Sequence, residues 1–292
     1  MSGTLKLAFA CLLFSAGACA QLLPTPVRVI ISVTDKQYQP LPELKAEDLV
    51  VLADGNPVAG LRLESLSGAA LQYCVVFDRS KSEAGLFKLQ QRAARALLGR
   101  IPRPQLDFGT LVSFGDNVDV YPGMERTSSP AALAAGVGDE QPQGGTALWD
   151  AVVICAANQL FPRDSLNAIF VFSDGDDNAS HATLAEAQQY ARRVGAPVFA
   201  FAMVSAYSGG RGRAQLRKLA DNTGGKVYDV AVEQDLRRVL DDLQARLQNV
   251  YAVTFPPPRR DGRLHQLEIR APKDARVFAP SHYFVEPASP AK

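Results

Sequence analysis

From Leu71 onward the chain is built of continuous apolar runs such as YCVVF (73–77), FGTLVSF (108–114), NAIFVFS (167–173) and APVFAFAMV (196–204), each followed by a stretch of helical pattern. A strand with one face in water alternates apolar and polar residues. A run without polar interruption has to be covered on both faces. Strands alternating with helices provide that cover, which predicts an α/β fold with a doubly wound, mostly parallel sheet. The helices expected between the runs are Gly85 to Leu98, Thr146 to Leu160, Thr183 to Val194, Arg213 to Asn222 and Gln234 to Gln248. Thr183 with Glu186 three residues on is a capping box, and Gly195-Ala196-Pro197 is a stop signal.

The two ends have a different texture. Residues 27–66 carry short, partly alternating segments (VRVIISVT, DLVVLADG, PVAGLRLESL), and YAVTF, LHQLEIRA and HYFVE follow Asn249. Neither group is long enough to bury a core alone, so the two are expected to pack together as a smaller flanking all-β domain built from both chain ends. The expected organisation is a signal peptide at 1–20, β-domain strands at 21–70, the α/β domain at 71–248, further β-domain strands at 249–286 and a flexible tail at 287–292.

Lys6, the apolar run Leu7 to Phe14 and the small residues ending Ala18-Cys19-Ala20 read as a secretory leader cut before Gln21. Its apolar stretch is well short of the roughly 20 residues that span a bilayer. The protein is therefore expected to be exported, periplasmic or secreted. Cys19 leaves open a lipid anchor, although Ala16-Gly17-Ala18 lacks the usual leucine of a lipobox. Cys74 and Cys155 sit in apolar runs and read as two buried free thiols in preference to a disulfide. A formal charge of +1, without long runs of either sign, gives no electrostatic footprint for nucleic acid.

Three strand ends carry the residues with chemistry. Asp78-Arg79-Ser80-Lys81-Ser82 directly follows the first buried run, Gly144-Gly145-Thr146 opens a helix, and Asp174-Gly175-Asp176-Asp177-Asn178 ends another buried run. In a wound sheet such loops lie at the carboxyl edge, where these folds place ligands. Oxygen donors suit a hard cation. Taken alone, Asp78 and the serines are equally well explained as helix caps; it is the joint occurrence in three loops that is specific.

This pattern, D-x-S-x-S followed by a distant Thr and a distant Asp, resembles the metal-ion-dependent adhesion site of the von Willebrand factor A superfamily. The phrases VTDKQYQPLPELKAEDLVVLADG, GGTALWDAV and DGDDNAS are similar to exported bacterial proteins with related domains. Trp149 stands where tyrosine is more usual. The resemblance implies that Asp78, Ser80, Ser82, Thr146 and Asp174 hold a divalent cation, Mg²⁺ or else Mn²⁺ or Ca²⁺. Ser80, Ser82 and, in the engaged state, Thr146 would touch the ion, and Asp78 and Asp174 would act largely through bound water. It further implies a protein partner that offers an Asp or Glu carboxylate to the ion.

Several other residues have plainer explanations. Asp150, Asp176 and Asp177 read as carboxylates facing helix N-termini. His181, His265 and His282 lack metal-ligand spacing. Ser208 to Arg213 reads as a mobile glycine-rich loop without a phosphate-binding motif, and Trp149 reads as core. No enzyme is expected. The competing functions are a metal-dependent extracytoplasmic hydrolase, for which only Lys81 and His181 offer a base, and an envelope protein whose ion stabilises the fold.

Overall fold

The computed structural model describes residues 26–285 and 287, apart from 38, 40, 42, 43, 124, 139, 140, 160–165 and 205–209. The expected leader with Cys19, and the tail beyond residue 287, lie outside the described residues. Four strands come first: β1 (Val27–Asp35), β2 (Val50–Ala53), β3 (Asn56–Pro57) and β4 (Arg62–Ser65). The α/β unit follows as β5 (Leu71–Asp78), α1 (Phe87–Arg100), β6 (Phe108–Phe114), β7 (Val118–Tyr121), α2 (Pro130–Gly136), α3 (Leu148–Ile154), β8 (Leu166–Ser173), α4 (Leu184–Arg193), β9 (Val198–Met203), α5 (Gly210–Thr223), β10 (Lys226–Val230) and α6 (Asp235–Gln248). Then come β11 (Val250–Phe255), β12 (Leu264–Arg270), β13 (Ala275–Phe278) and β14 (His282–Phe284).

The central sheet has the order β10-β9-β8-β5-β6-β7. All its pairings are parallel except that of β6 with the edge strand β7. Every residue of β5 is buried, and its two faces feed different cores. Tyr73, Val75 and Phe77 pack with Ala93, Ala94 and Leu97 of α1 and with Val239 and Leu243 of α6. Cys74 and Val76 pack with Trp149 and Val152 of α3, Ala187 and Ala191 of α4, and Leu216 of α5. At about 1.5–3 kcal/mol for each large apolar side chain removed from water, this double cover anchors the uninterrupted apolar run strongly.

The chain ends pair as expected from the sequence. One flanking sheet has the order β13-β1-β11-β4 and the other β14-β12-β2-β3. Alternate residues of β1, Val29, Ile31 and Val33, share a core with Val51, Val253 and Leu267. Ile30, on the opposite face of β1, joins the core that contains α6. The period-two pattern of β1 thus buries it between the sandwich on one side and the α/β unit on the other.

Three expectations need correction. Cys74 and Cys155 are not free thiols but a disulfide, with Cα atoms 6.0 Å apart. The alternation of β5 turns Cys74 toward α3, and the helix carries Cys155 above it, within ordinary bridging reach. The helix expected through Leu160 ends its α-form at Ile154 and continues with π-pitch over Cys155–Gln159. Finally, Gly210 to Arg213 do not form a loop but the first turn of α5.

Candidate metal centre

In the central sheet the chain runs from β5 outward to β6, then crosses back to β8 on the other side of β5. The carboxyl ends of β5 and β8 therefore flank a topological switch point, where adjacent loops leave in opposite directions and open a crevice. Asp78 is the last residue of β5, and Asp174 is the first residue after β8. Backbone hydrogen bonds of the parallel pair align these two ends.

Asp78 is completely buried. One of its carboxylate oxygens accepts the Ser80 N–H at 2.8 Å, and the other accepts the Ser173 hydroxyl at 2.5 Å. The amide of Gln90, on α1, donates to the carbonyls of Asp78 and Phe172 at 2.9 and 3.0 Å, tying the two strand ends together from below. Ser80 is buried and Ser82 exposed, and their hydroxyl oxygens are 3.0 Å apart. Thr146 is buried at the start of the segment leading into α3.

The Thr146 loop is bonded to both neighbours. Lys81 N–H donates to the Gly144 carbonyl at 3.2 Å, and Gln143 N–H to the Arg79 carbonyl at 2.8 Å. On the other side, Thr146 N–H donates to the Asn178 side-chain oxygen at 2.9 Å, while the N–H groups of Asn178 and Ala179 return to the Thr146 carbonyl. Gly144 has φ +77°, and a Cβ there would lie 2.3 Å from the Asp116 carboxylate. The glycine pair lets the backbone pass over that side chain, whose oxygen accepts the Gly145 N–H at 2.6 Å.

The acidic loop after β8 is likewise fastened by its neighbours. Asp177 accepts the Leu148 N–H at 2.9 Å, and Ser180 the Trp149 N–H at 2.9 Å, both at the start of α3. Asp150 accepts from Ala182 N–H at 2.7 Å. Asp150 and Asp177 are clamps between loops. Gly175, at φ +85°, packs backbone to backbone on Gly212, where an added Cβ would meet the Gly212 carbonyl at 2.4 Å. This contact sets the first turn of α5 at the rim of the crevice. Trp149 is in the core.

The structure also places a residue at the site that the sequence reading missed. Glu83 lies in the 3-10 turn Lys81–Gly85, is 2% exposed, and accepts the Asp174 N–H at 2.6 Å. Carboxylate oxygens of Asp78, Glu83 and Asp174 all lie within 4.8 Å of one another. The only signal in the sequence was its position next to Ser82.

Three carboxylates this close have unusual electrostatics. Burial raises the Asp78 carboxyl above the ordinary carboxylate range, against the hydrogen bonds from Ser173 and Ser80, and the charge of Asp174 adds to the rise. Burial, followed by the charges of Asp78 and Asp174, pushes Glu83 up well above its usual value. No lysine, arginine or histidine pairs with Asp78 or Glu83 among the described residues. Buried carboxylates normally find a cationic partner or a metal. An all-oxygen donor set with two adjacent hydroxyls, lacking an internal cation, fits a hard divalent ion. Of the five expected ligands, Asp78 and Asp174 converge with Glu83, Ser80 and Ser82 adjoin each other, and Thr146 sits on the loop bonded to both neighbouring loops.

No protein-family model matches the chain, and no curated protein matches it by sequence. Solved structures do resemble it. A von Willebrand factor type A protein from Catenulispora acidiphila superposes with a TM-score of 0.52 at 13% identity, over 92% of this chain and 76% of that one. Proximal thread matrix protein 1 from the mussel byssus, in a structure described as having a zinc-occupied MIDAS motif, superposes with a TM-score of 0.51 at 18% identity, over 66% of this chain and 49% of that one. At these identities the likeness is one of fold. With its strand order and the placement of its helices, it shows that the central unit of this chain has the von Willebrand factor A fold.

Proposed function

We propose that this is an exported protein that binds a divalent cation at the β5–β8 switch point through Asp78, Ser80, Ser82, Thr146 and Asp174, and uses that site to hold a protein partner. The observation that carries the reading is the convergence of the buried Asp78 and Glu83, which have no cationic partner among the described residues, with Asp174 beside the paired hydroxyls of Ser80 and Ser82 at a carboxyl-edge crevice. Ser82 is exposed and Asp174 half-buried, so the crevice faces solvent on one side. The ion would supply positive charge at that opening, and the chain's residues orient it there. The zinc-occupied site named for the mussel protein supports a metal in this fold. The Cys74–Cys155 disulfide supports an oxidising compartment and hence export. No helix among the described residues is long and apolar enough to cross a membrane.

We read the site as a binding module and not an enzyme. His181 is almost fully exposed, with its ring 3.1 Å from Asp150, and Lys81 is exposed. Neither is among the groups that act on the Asp78 carboxyl, which are Ser173, Ser80 and Asp174. A second reading, an ion that serves chiefly to stabilise the fold, is favoured by the depth of Asp78 and Glu83. Calorimetric titration of Mg²⁺ and Mn²⁺ into the protein and into Asp78→Ala tests the site: binding is expected to disappear in the variant while its circular dichroism spectrum is kept. Capture from envelope extracts with and without chelator separates the two readings. A stabilising ion changes melting without changing what is captured.

A further inference from the structure

The turn that follows Ser80 buries the wrong residue by ordinary rules. In Lys81-Ser82-Glu83-Ala84-Gly85 the alanine and the glycine are exposed, and the single acidic side chain is turned inward to 2% exposure. Glutamate is among the residues least often buried, and its desolvation is costly unless a partner compensates. The hydrogen bond from Asp174 N–H is one neutral donor, and beyond it the side chain faces two further carboxylates. A purely structural role would be met by an apolar side chain in the same place. A cation in the crevice would compensate all three acids together.

We infer that Glu83 enters the cation's coordination as a third carboxylate, supplied by the chain itself. This rests on the cation-binding reading above and deepens it. Asp78 and Asp174 alone bring two negative charges to a dication, which leaves the site neutral and the ion receptive to an incoming carboxylate. With Glu83 the site carries three against two. Affinity for the ion rises with the charge count of its ligands, so the cation is retained without a partner, and its attraction for a partner's acidic side chain is reduced. Glu83 is thereby the residue that sets the balance between holding the ion and gripping a partner.

The test is calorimetric titration of Mn²⁺ into the full chain, Glu83→Gln and Asp78→Ala, with thermal melting of each in chelator and in excess Mn²⁺. Glutamine keeps the size of the side chain and an oxygen that can accept the Asp174 N–H, and it replaces the charged second oxygen by a neutral NH2 donor. The expected result is that Glu83→Gln melts at or above the parent protein in chelator, binds Mn²⁺ at least about tenfold more weakly, and gains less in melting temperature from the ion. Unchanged affinity in Glu83→Gln, with binding abolished in Asp78→Ala, would overturn the role of Glu83 and leave the cation site standing. A Glu83→Gln protein that melts lower in chelator with unchanged affinity assigns the residue to the fold alone, which also overturns the inference. If the parent protein binds no Mn²⁺, the inference and the cation reading both fall.

Discussion

The side-chain oxygen of Asn178 accepts the backbone N–H of Thr146 at 2.9 Å, joining two loops whose residues are 32 positions apart. The bond fixes the threonine from behind, while Asn178 itself stays exposed. Asn178→Ala leaves that N–H without its acceptor, at a cost of about 1–3 kcal/mol. Cation affinity is expected to fall with little change in the far-ultraviolet circular dichroism spectrum. A calorimetric Kd equal to that of the parent protein would show that the loop is held in place without this bond.

Gly175 and Gly212 make a similar prediction through backbone packing. At φ +85°, with the Gly212 carbonyl 2.4 Å from where a Cβ would sit, Gly175→Ala is strained by conformation and by collision. The loss is expected to exceed about 1 kcal/mol. Because Asp174 is the adjoining residue, the variant should also bind the cation less tightly. Urea denaturation checks the first effect and calorimetry the second.

The Cys74–Cys155 bridge closes a loop of 81 residues and ties the strand that ends in Asp78 to the helix that follows Thr146. A loop of that length corresponds to about 4.5 kcal/mol of chain entropy removed from the unfolded state. The double variant Cys74→Ala, Cys155→Ala is expected to lose about 2–5 kcal/mol in equilibrium unfolding. An unfolding midpoint identical to that of the oxidised parent would show that the bridge does not contribute to stability.

In the flanking sandwich, His265 is 7% exposed and lies between Asp54, 2.7 Å from Nδ1, and Asp261, 3.0 Å from Nε2. Burial works against a charged ring, but the bonds to Asp54 and Asp261 outweigh it and raise the histidine above its usual value. The His265 hydrogen bond is the main cause that lowers each carboxyl. A raised histidine contributes stability in full below its unfolded pKa of about 6.5 and loses it as pH rises through the higher folded value. The lowered carboxyls contribute above their unfolded value of about 3.9 and lose that contribution as pH falls through the folded values. The cluster therefore stabilises most between the acid range and the histidine range. Melting measured from about pH 5 to about pH 9 should show a decline on the alkaline side that is flattened in His265→Gln; equal slopes in the two proteins would count against it.

Excess divalent cation is expected to raise the melting temperature of the parent protein, since the folded chain alone assembles the donors. At a free ion concentration of about 100 times Kd, the gain is about 2.7 kcal/mol. Scanning calorimetry in chelator and in Mn²⁺ measures it, and Asp78→Ala should show no gain.

The wound sheet and the loops at its carboxyl edge are legible in the residues alone, because both are local signals. An apolar run such as 167–173 reports burial on both faces wherever the strand is placed, and Asp78 or Asp174 can be seen to end a run without knowledge of its neighbours. The short α2 and the strands β7, β10 and β13 were missed because a few residues are too short to establish a period. Which distant groups meet depends on how the elements are assembled. The inward turn of Glu83 depends on a single 3-10 turn of mixed residues, whose direction is set by the ends of β5 and β8. The bond between Cys74 and Cys155 depends on strand parity at one end and helix register at the other. Periodicity tells a side chain which face of its own element it occupies. What lies opposite that face is a property of the topology, and the chemistry of the crevice between Asp78, Glu83 and Asp174 arises from that opposition.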